Sequence, residues 1–347
     1  GNKMKKRILS VILAAGMMIM AVGCGSGGSA ATETTGGDAA QATEEAADKT
    51  ETTATVTDNS EVKIGVSMAT TQSTFYAKVA QLIEDHCKEI GVECMLSDED
   101  YDLNKQISSI ENFISAKCTA IILVVFDEEG IKDTVQKAVD EGIYVLTYDG
   151  YVEGAQGSLN VDNYEYGYLT GTMAADWINS NPELKDQEEI QVGIFDYPEI
   201  PVIIDRADGI EDALKEKAPN AKVVARQSAA IADEGVTLGE NFMQAYPDMQ
   251  IICGINDNGV VGAYEVWSAE GRVGDNIGFF GADADEKALE LISQGTSYRG
   301  TVALTAETSV PAAVDVCVAA RKGEEVDGNI IFDMAVITAD NVADYLK

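Results

Sequence analysis

The chain has 347 residues, 46% of them hydrophobic, with 59 acidic against 24 basic side chains and a net charge of −35. That length and apolar share support two domains with sizeable cores. A field so negative repels phosphate backbones and anionic headgroups, which excludes nucleic-acid binding and electrostatic adhesion to lipid. One histidine, His86, and six cysteines without a CxxC pair provide no zinc ligand set, so no metal or cofactor is expected.

At the start, Lys5, Lys6 and Arg7 precede a short apolar run from Ile8 to Val22, and small residues surround Cys24. A charged opening, a brief apolar core and small residues at the cut site describe a secretory signal beginning at Met4, not a membrane span. Ala21-Val22-Gly23-Cys24 resembles the lipobox of bacterial lipoproteins. The resemblance implies a signal peptide over 1–23, diacylglycerol on Cys24 and an extracytoplasmic protein anchored to the cell membrane. Lipid chains hold at about 0.8 kcal/mol per buried CH₂. Loss of 1–23 removes four of the 24 basic residues and leaves 20 against 59 acids, a net charge of −39. Residues 24–60 are Gly, Ser, Ala, Thr and acids with almost nothing to bury, which predicts a disordered acidic tether.

From Val62 the pattern changes. VKIGVSM (62–68), VECMLSD (92–98), AIILVVF (120–126) and IYVLTYD (143–149) read as strands. Between them Phe75, Val79, Leu82, Ile83 and Ile90, then Leu103, Ile107, Ile110 and Phe113, then Ile131, Val135 and Ala138 mark helices. Continuously apolar strands joined by helical segments mean parallel sheets covered on both faces. The alternation restarts with IQVGIFD (190–196), AKVVARQ (221–227), QIICGIN (250–256) and NIGFFGA (276–282). Two similar series predict two doubly wound α/β lobes with ligands at the carboxyl ends of their strands. The remainder, GTVALTA (300–306), a helix from Thr308 to Lys322 and NIIFDMAVITAD (329–340), is too short for a third domain. It is expected to cross back between the lobes as a multi-strand hinge.

Cys118, Cys253 and Cys317 lie in apolar runs and read as small core residues. Cys87 and Cys94 could bridge a helix to the next strand, reduced buried thiols being the default. The acidic run Asp98 to Asp102 does not match the spacing of a calcium loop and reads as a solvated turn. No GxGxxG, Walker A, GxSxG or HExxH signature occurs in the body.

The informative residues are polar or aromatic groups placed where apolar strands end. Ser73 or Thr74 caps a helix that Phe75 and Tyr76 open. One ring packs inward and the other is free to lie against a ligand. Asp149 closes a strand before Gly150, either as a turn residue or as an acceptor of two hydroxyl hydrogen bonds. Asn256 and Asp257 hold the equivalent place in the second lobe, where an amide suits a hydroxyl that both donates and accepts. Arg206 carries five fixed donors, for a solute or for a surface ion pair.

From Val62 to the C-terminus the chain resembles the type I periplasmic sugar-binding proteins, the class of the ribose-binding protein. The signals are VSMATTQSTFY, VLTYDG, LNVDN, DRADGI, CGINDNGVVGA and GFFGADAD, in the family's order. The resemblance implies a non-enzymatic, monomeric receptor that passes a small uncharged, carbohydrate-like solute to the membrane subunits of an ABC importer. It implies lobes over 61–163 plus about 305–330 and 164–304 plus about 331–347. The family's binding residues fall on Ser73 (often asparagine there), Phe75, Tyr76, Asp149, Arg206, Asn256 and Asp257; Asp162 and Asn163 match a structural turn. Its departures are Gly150 in place of an arginine, Phe280 in place of the sugar-binding aspartate, Val124 and Leu304 in place of polar residues, and Ala230 in place of an aromatic. Asp283 or Asp285 could reach in instead. A buried hydroxyl without a partner costs about 1–3 kcal/mol, so these changes favour a less polar sugar derivative or polyol. The alternatives are a sensory receptor for a membrane kinase, and a glycoside-processing enzyme in which Asp149 and Asp257 face one another.

Overall fold

The computed structural model describes residues 57–346. The signal peptide, Cys24 and most of the tether lie outside the described residues. The first series folds as β1 (Lys63–Met68), α1 (Thr74–Ile90), β2 (Glu93–Asp98), α2 (Leu103–Ser115), β3 (Ala120–Val124), α3 (Glu128–Asp140), β4 (Tyr144–Tyr148) and β5 (Gly157–Asn160). The second runs α4 (Asn163–Ser180), β6 (Ile190–Asp196), α5 (Pro201–Lys217), β7 (Ala221–Ser228), α6 (Ala232–Ala245), β8 (Met249–Gly254), α7 (Asp257–Ala269), β9 (Gly278–Ala282), α8 (Glu286–Ser293) and β10 (Tyr298–Leu304). The chain ends with α9 (Ala306–Arg321), β11 (Asn329–Ile331) and β12 (Met334–Thr338).

Two six-stranded sheets result, in the orders β11-β5-β4-β3-β1-β2 and β12-β10-β9-β8-β6-β7. All pairings are parallel except that of β10 with β12. The central strands have no polar face: all five residues of β3 and all five of β9 are buried, because helices cover both sides. The five described cysteines are free thiols, and those of Cys87, Cys118, Cys253 and Cys317 are buried. Burial pushes the Cys118 thiol up to about 11 and Cys317 up to about 12.

The strand-to-helix turns explain part of the acid surplus. Asp102, Asp127 and Asp162 accept hydrogen bonds from backbone N–H groups at the starts of α2, α3 and α4. Each such cap is worth about 1 kcal/mol. Asp98, in the acidic run, accepts from the backbone and hydroxyl of Thr71 and from the backbone of Asp100. These acids serve turns.

The chain passes between sheets at three places: after β5 into α4, after β10 into α9, and between β11 and β12. Ile331 of β11 lies beside Asn160 of β5, and Leu304 of β10 beside Met334 of β12. Every crossing therefore sits at the carboxyl ends of β5, β10 and β11, which brings those edges of both sheets together. Helix α9, although it follows β10, supplies Ala306, Val310, Ala313, Val314 and Cys317 to the core of the first sheet. The crossings are laced to one another. Thr305 N–H donates to the Asp333 carbonyl at 2.9 Å, and Phe332 N–H to the Asn160 carbonyl at 2.9 Å.

Helix α4 occupies a stretch in which the sequence shows no apolar stripe. It is buried on several sides through small residues, including Gly167, Gly171, Ala174 and Ala175. Gly167 lets α4 meet α5 backbone to backbone: a Cβ there would fall 1.7 Å from the Arg206 carbonyl oxygen. Gly167→Ala is expected to force the helices apart at a cost of about 1–3 kcal/mol. Calorimetry should show a melting midpoint lowered by several degrees; an unchanged midpoint would refute the close approach.

Candidate functional site

One wall of the gap is aromatic. Ser73 caps α1, accepting from Tyr76 N–H at 3.4 Å, and so fixes the first turn that carries Phe75 and Tyr76. Both rings are half-buried. Behind them stand two fully buried rings: Tyr148, the last residue of β4, edge-on to Tyr76 at 6.0 Å, and Phe332, 6.4 Å from Phe75 and 5.6 Å from Tyr148. Phe332 belongs to the third crossing, so the hinge itself supports the wall. Its role is not legible in the sequence, because a ring after the short run NII has no pattern around it.

Asp149 projects from the end of β4 beside this wall. Its backbone is left-handed, with φ of 60°, and its carboxylate accepts a hydrogen bond from the Tyr76 hydroxyl at 2.5 Å. The residue remains open to solvent, yet the surrounding protein weakens its hydration. Burial pushes the Asp149 carboxyl above the usual carboxylate range, and the Tyr76 bond pulls it partly back.

The opposite wall is polar. Arg206, in α5, donates to Asn163 Oδ1 at 3.0 and 2.7 Å and to the Ile255 carbonyl at 2.8 Å. Its guanidinium lies 4.5 Å from the Tyr166 ring centre and 3.8 Å from Asp283 Oδ1. Tyr166 Oη is 3.0 Å from both Asp283 Oδ1 and the Val302 carbonyl. Asp283, just past β9, has φ of 98°, and Ala284 follows with φ of 55°. Strained backbone of this kind persists where its surroundings over-determine it. Burial raises the Asp283 carboxyl, against the pull of Arg206 and Tyr166; Asp285 is raised by burial and then by the charge of Asp283.

The fold accounts fully for three residues singled out in the sequence. Asn256 caps α7, accepting from Gly259 N–H at 3.1 Å and donating to the Ala230 carbonyl at 2.8 Å. Asp257 is 0% exposed and accepts from the Tyr298 hydroxyl at 2.7 Å, the Thr301 hydroxyl at 2.8 Å and Asp285 N–H at 2.9 Å. It ties β10 to the turn after β9 and cannot face Asp149 as half of a catalytic pair. Phe280 is 0% exposed in the core against Trp177, with ring centres 5.7 Å apart, and reaches no solute surface. Its side chain is spent in the core, whereas Asp283, in the turn beyond β9, is exposed and offers a carboxylate. Val124 is likewise fully buried, so of the departures read as apolar lining only Leu304 and Ala230 are half-exposed.

Large apolar side chains also remain exposed after the strand ends: Tyr101, Tyr151, Ile200, Val202 and Ile231. Among the described residues no three His, Cys, Asp or Glu side chains group as metal ligands. A shallow concavity of ≈ 540 Å³ lies at the other end of the second sheet, near Gln187, Asp248 and Arg272. Arg272 there is held by the carbonyls of Pro247 and Met249, at 2.6 and 2.8 Å, and serves the fold.

Two doubly wound lobes whose strand ends meet at a three-stranded crossing define the type I periplasmic binding protein fold. The chain belongs to that family: residues 64–325 match the periplasmic binding protein domain. It is 28% identical to the ABC transporter periplasmic-binding protein YphF of Escherichia coli over 67% of this chain and 72% of that one. It is 27% identical to the ribose import binding protein RbsB of Bacillus subtilis over 67% and 73%. A solute-binding protein of Bacillus halodurans with bound myo-inositol superposes with a TM-score of 0.65 at 25% identity, covering 84% of this chain and 99% of the other. One from Actinobacillus succinogenes with bound D-allose gives 0.67 at 23% identity, over 82% and 100%, and shares the fold.

The carboxyls of Asp149, Asp257, Asp283 and Asp285 all hold their protons more tightly in the folded chain than an exposed aspartate does. Unfolding then releases protons, so stability falls as pH rises from the unfolded value through the folded one. At fully buried Asp257 each pKa unit of difference is worth about 1.4 kcal/mol; solvent screens the open carboxylates to less. The melting midpoint is expected to rise as pH is lowered from 7 toward 5. A midpoint that falls over that range would contradict the burial of Asp257.

Proposed function

We propose that this chain is the substrate-binding lipoprotein of an ABC importer, capturing a sugar or a less polar sugar derivative between its lobes. Signal removal before Cys24 and lipidation of that residue would leave the receptor on the outer side of the cell membrane, tethered by 24–60. The observation that carries the reading is the pairing of two unlike walls at one hinge: Phe75 and Tyr76 with Asp149 on one lobe, Arg206 with Asp283 on the other. Aromatic faces suit the C–H-rich side of a sugar ring, and carboxylate and guanidinium suit its hydroxyls. Relatives named for ribose, and neighbours holding D-allose or myo-inositol, support a polyhydroxylated solute.

Closure supplies the affinity. The walls come together when the three crossings bend, water leaves, and each hydrogen bond strengthens in the drier gap. The exposed Tyr101, Tyr151, Ile200, Val202 and Ile231 stand at the lips where closure would bury them. No step of this cycle calls for bond making or breaking, and we assign the chain no catalytic activity.

Mass spectrometry of solute retained by the purified protein should identify a polyhydroxylated compound. Adding it back should reduce the radius of gyration in X-ray scattering. Asp149→Ala and Arg206→Ala should each weaken calorimetric binding by about tenfold or more, the worth of one charge-assisted hydrogen bond. A solute bound without any change in scattering, or with both variants unaffected, would remove this reading of the cleft.

A further inference from the structure

The two carboxylate-bearing walls differ in how their charge is met. Arg206 stands 3.8 Å from Asp283 on the second lobe, but it also serves Asn163 and the Ile255 carbonyl. Asp285 follows two residues on, with its backbone N–H spent on Asp257 and, among the described residues, no basic side chain in an ion pair with its carboxylate. On the first lobe Asp149 has the Tyr76 hydroxyl as its side-chain hydrogen-bond partner, and among the described residues no lysine or arginine forms an ion pair with it. Gly150 follows it and adds no charge of its own. Its Cβ position is already crowded by Val125 at 2.8 Å, so packing keeps a longer residue out.

Among the described residues Asp149 thus forms no ion pair, and it stands at the edge of two half-exposed rings. The second lobe carries Asp283 and Asp285 with Arg206 beside the first of them, so drawing the lobes together would set carboxylate against carboxylate until something positive lies between them. Aromatic faces beside a carboxylate attract a cation by both the ring quadrupole and the charge. Hydroxyls answer only part of this demand, because a hydroxyl donates one hydrogen bond and neutralises nothing.

Resting on the solute-receptor reading above, we infer that the captured solute carries a protonated amine, seated between Asp149 and the faces of Phe75 and Tyr76. An amino sugar or amino polyol meets both walls: its hydroxyls take the Arg206 side and its ammonium the Asp149 side. This replaces the uncharged solute anticipated from the sequence. Arg206 and Asp283 then fix the hydroxylated end, and the amine is what permits the lobes to close.

Matched pairs test this directly: glucosamine with glucose, galactosamine with galactose, and glucamine with sorbitol, titrated calorimetrically into the wild-type protein and Asp149→Asn. Among uncharged residues that bear a side chain, asparagine best tolerates the left-handed backbone at 149, so the variant keeps the turn. An amine member bound about tenfold tighter than its neutral partner, with that preference lost in Asp149→Asn, is the expected result. Neutral members bound as well as or better than their amines overturn the amine while leaving the receptor reading intact. An amine preference undiminished in Asp149→Asn overturns the seat assigned to it. Binding by no pair, together with scattering unchanged by any solute, removes both readings.

Discussion

Everything at the cleft depends on three backbone crossings held side by side. Ile331 beside Asn160 and Leu304 beside Met334 set the register on either side of the gap, and Thr305 and Phe332 lace the crossings to one another. A single linker would let the lobes swivel freely. Three linkers sharing hydrogen bonds leave bending across their common line as the soft motion, so the walls meet in a repeatable register. Phe332 couples the two roles, since it belongs to a crossing and backs the aromatic wall.

The polar wall is rigid for a different reason. Tyr166 is fully buried in α4, Arg206 rides on α5, and the two helices touch through glycine backbone. The guanidinium is aimed by Asn163, by the Ile255 carbonyl and by the Tyr166 face before any solute arrives. Asp257, under the same wall, binds the start and middle of β10 and the turn after β9 through three donors. A buried carboxylate so placed is costly if a partner is removed, which makes it a structural anchor of the turn that presents Asp283 and Asp285.

The alternation of apolar strands and amphipathic helices was legible because parallel strands covered on both faces are apolar throughout. Helix α4 was not, since its small residues are buried on several sides and leave no stripe. Phe75, Tyr76, Asp149 and Arg206 were legible as groups at strand ends, and the structure sets Tyr76 on Asp149 and Arg206 on Asn163 and the Ile255 carbonyl. Asn256, Asp257 and Phe280 looked the same in sequence, but capping, hydrogen bonding to Tyr298 and Thr301, and packing on Trp177 absorb them. Position at a strand end does not reveal whether a side chain turns toward solvent or back beneath the sheet; only its neighbours in space decide.

The backbone at Asp100, Tyr101, Asp149, Asp283 and Ala284 is left-handed without glycine. Such conformations favour glycine, asparagine and aspartate and penalise branched side chains. Diversification of these turns toward new chemistries is therefore channelled: short acids and amides are admitted cheaply, while valine or isoleucine is resisted on backbone grounds alone. The contour of the gap can drift through residues in ordinary conformations, such as Phe75 or Leu304, whereas these turns confine change to short acids, amides and glycine.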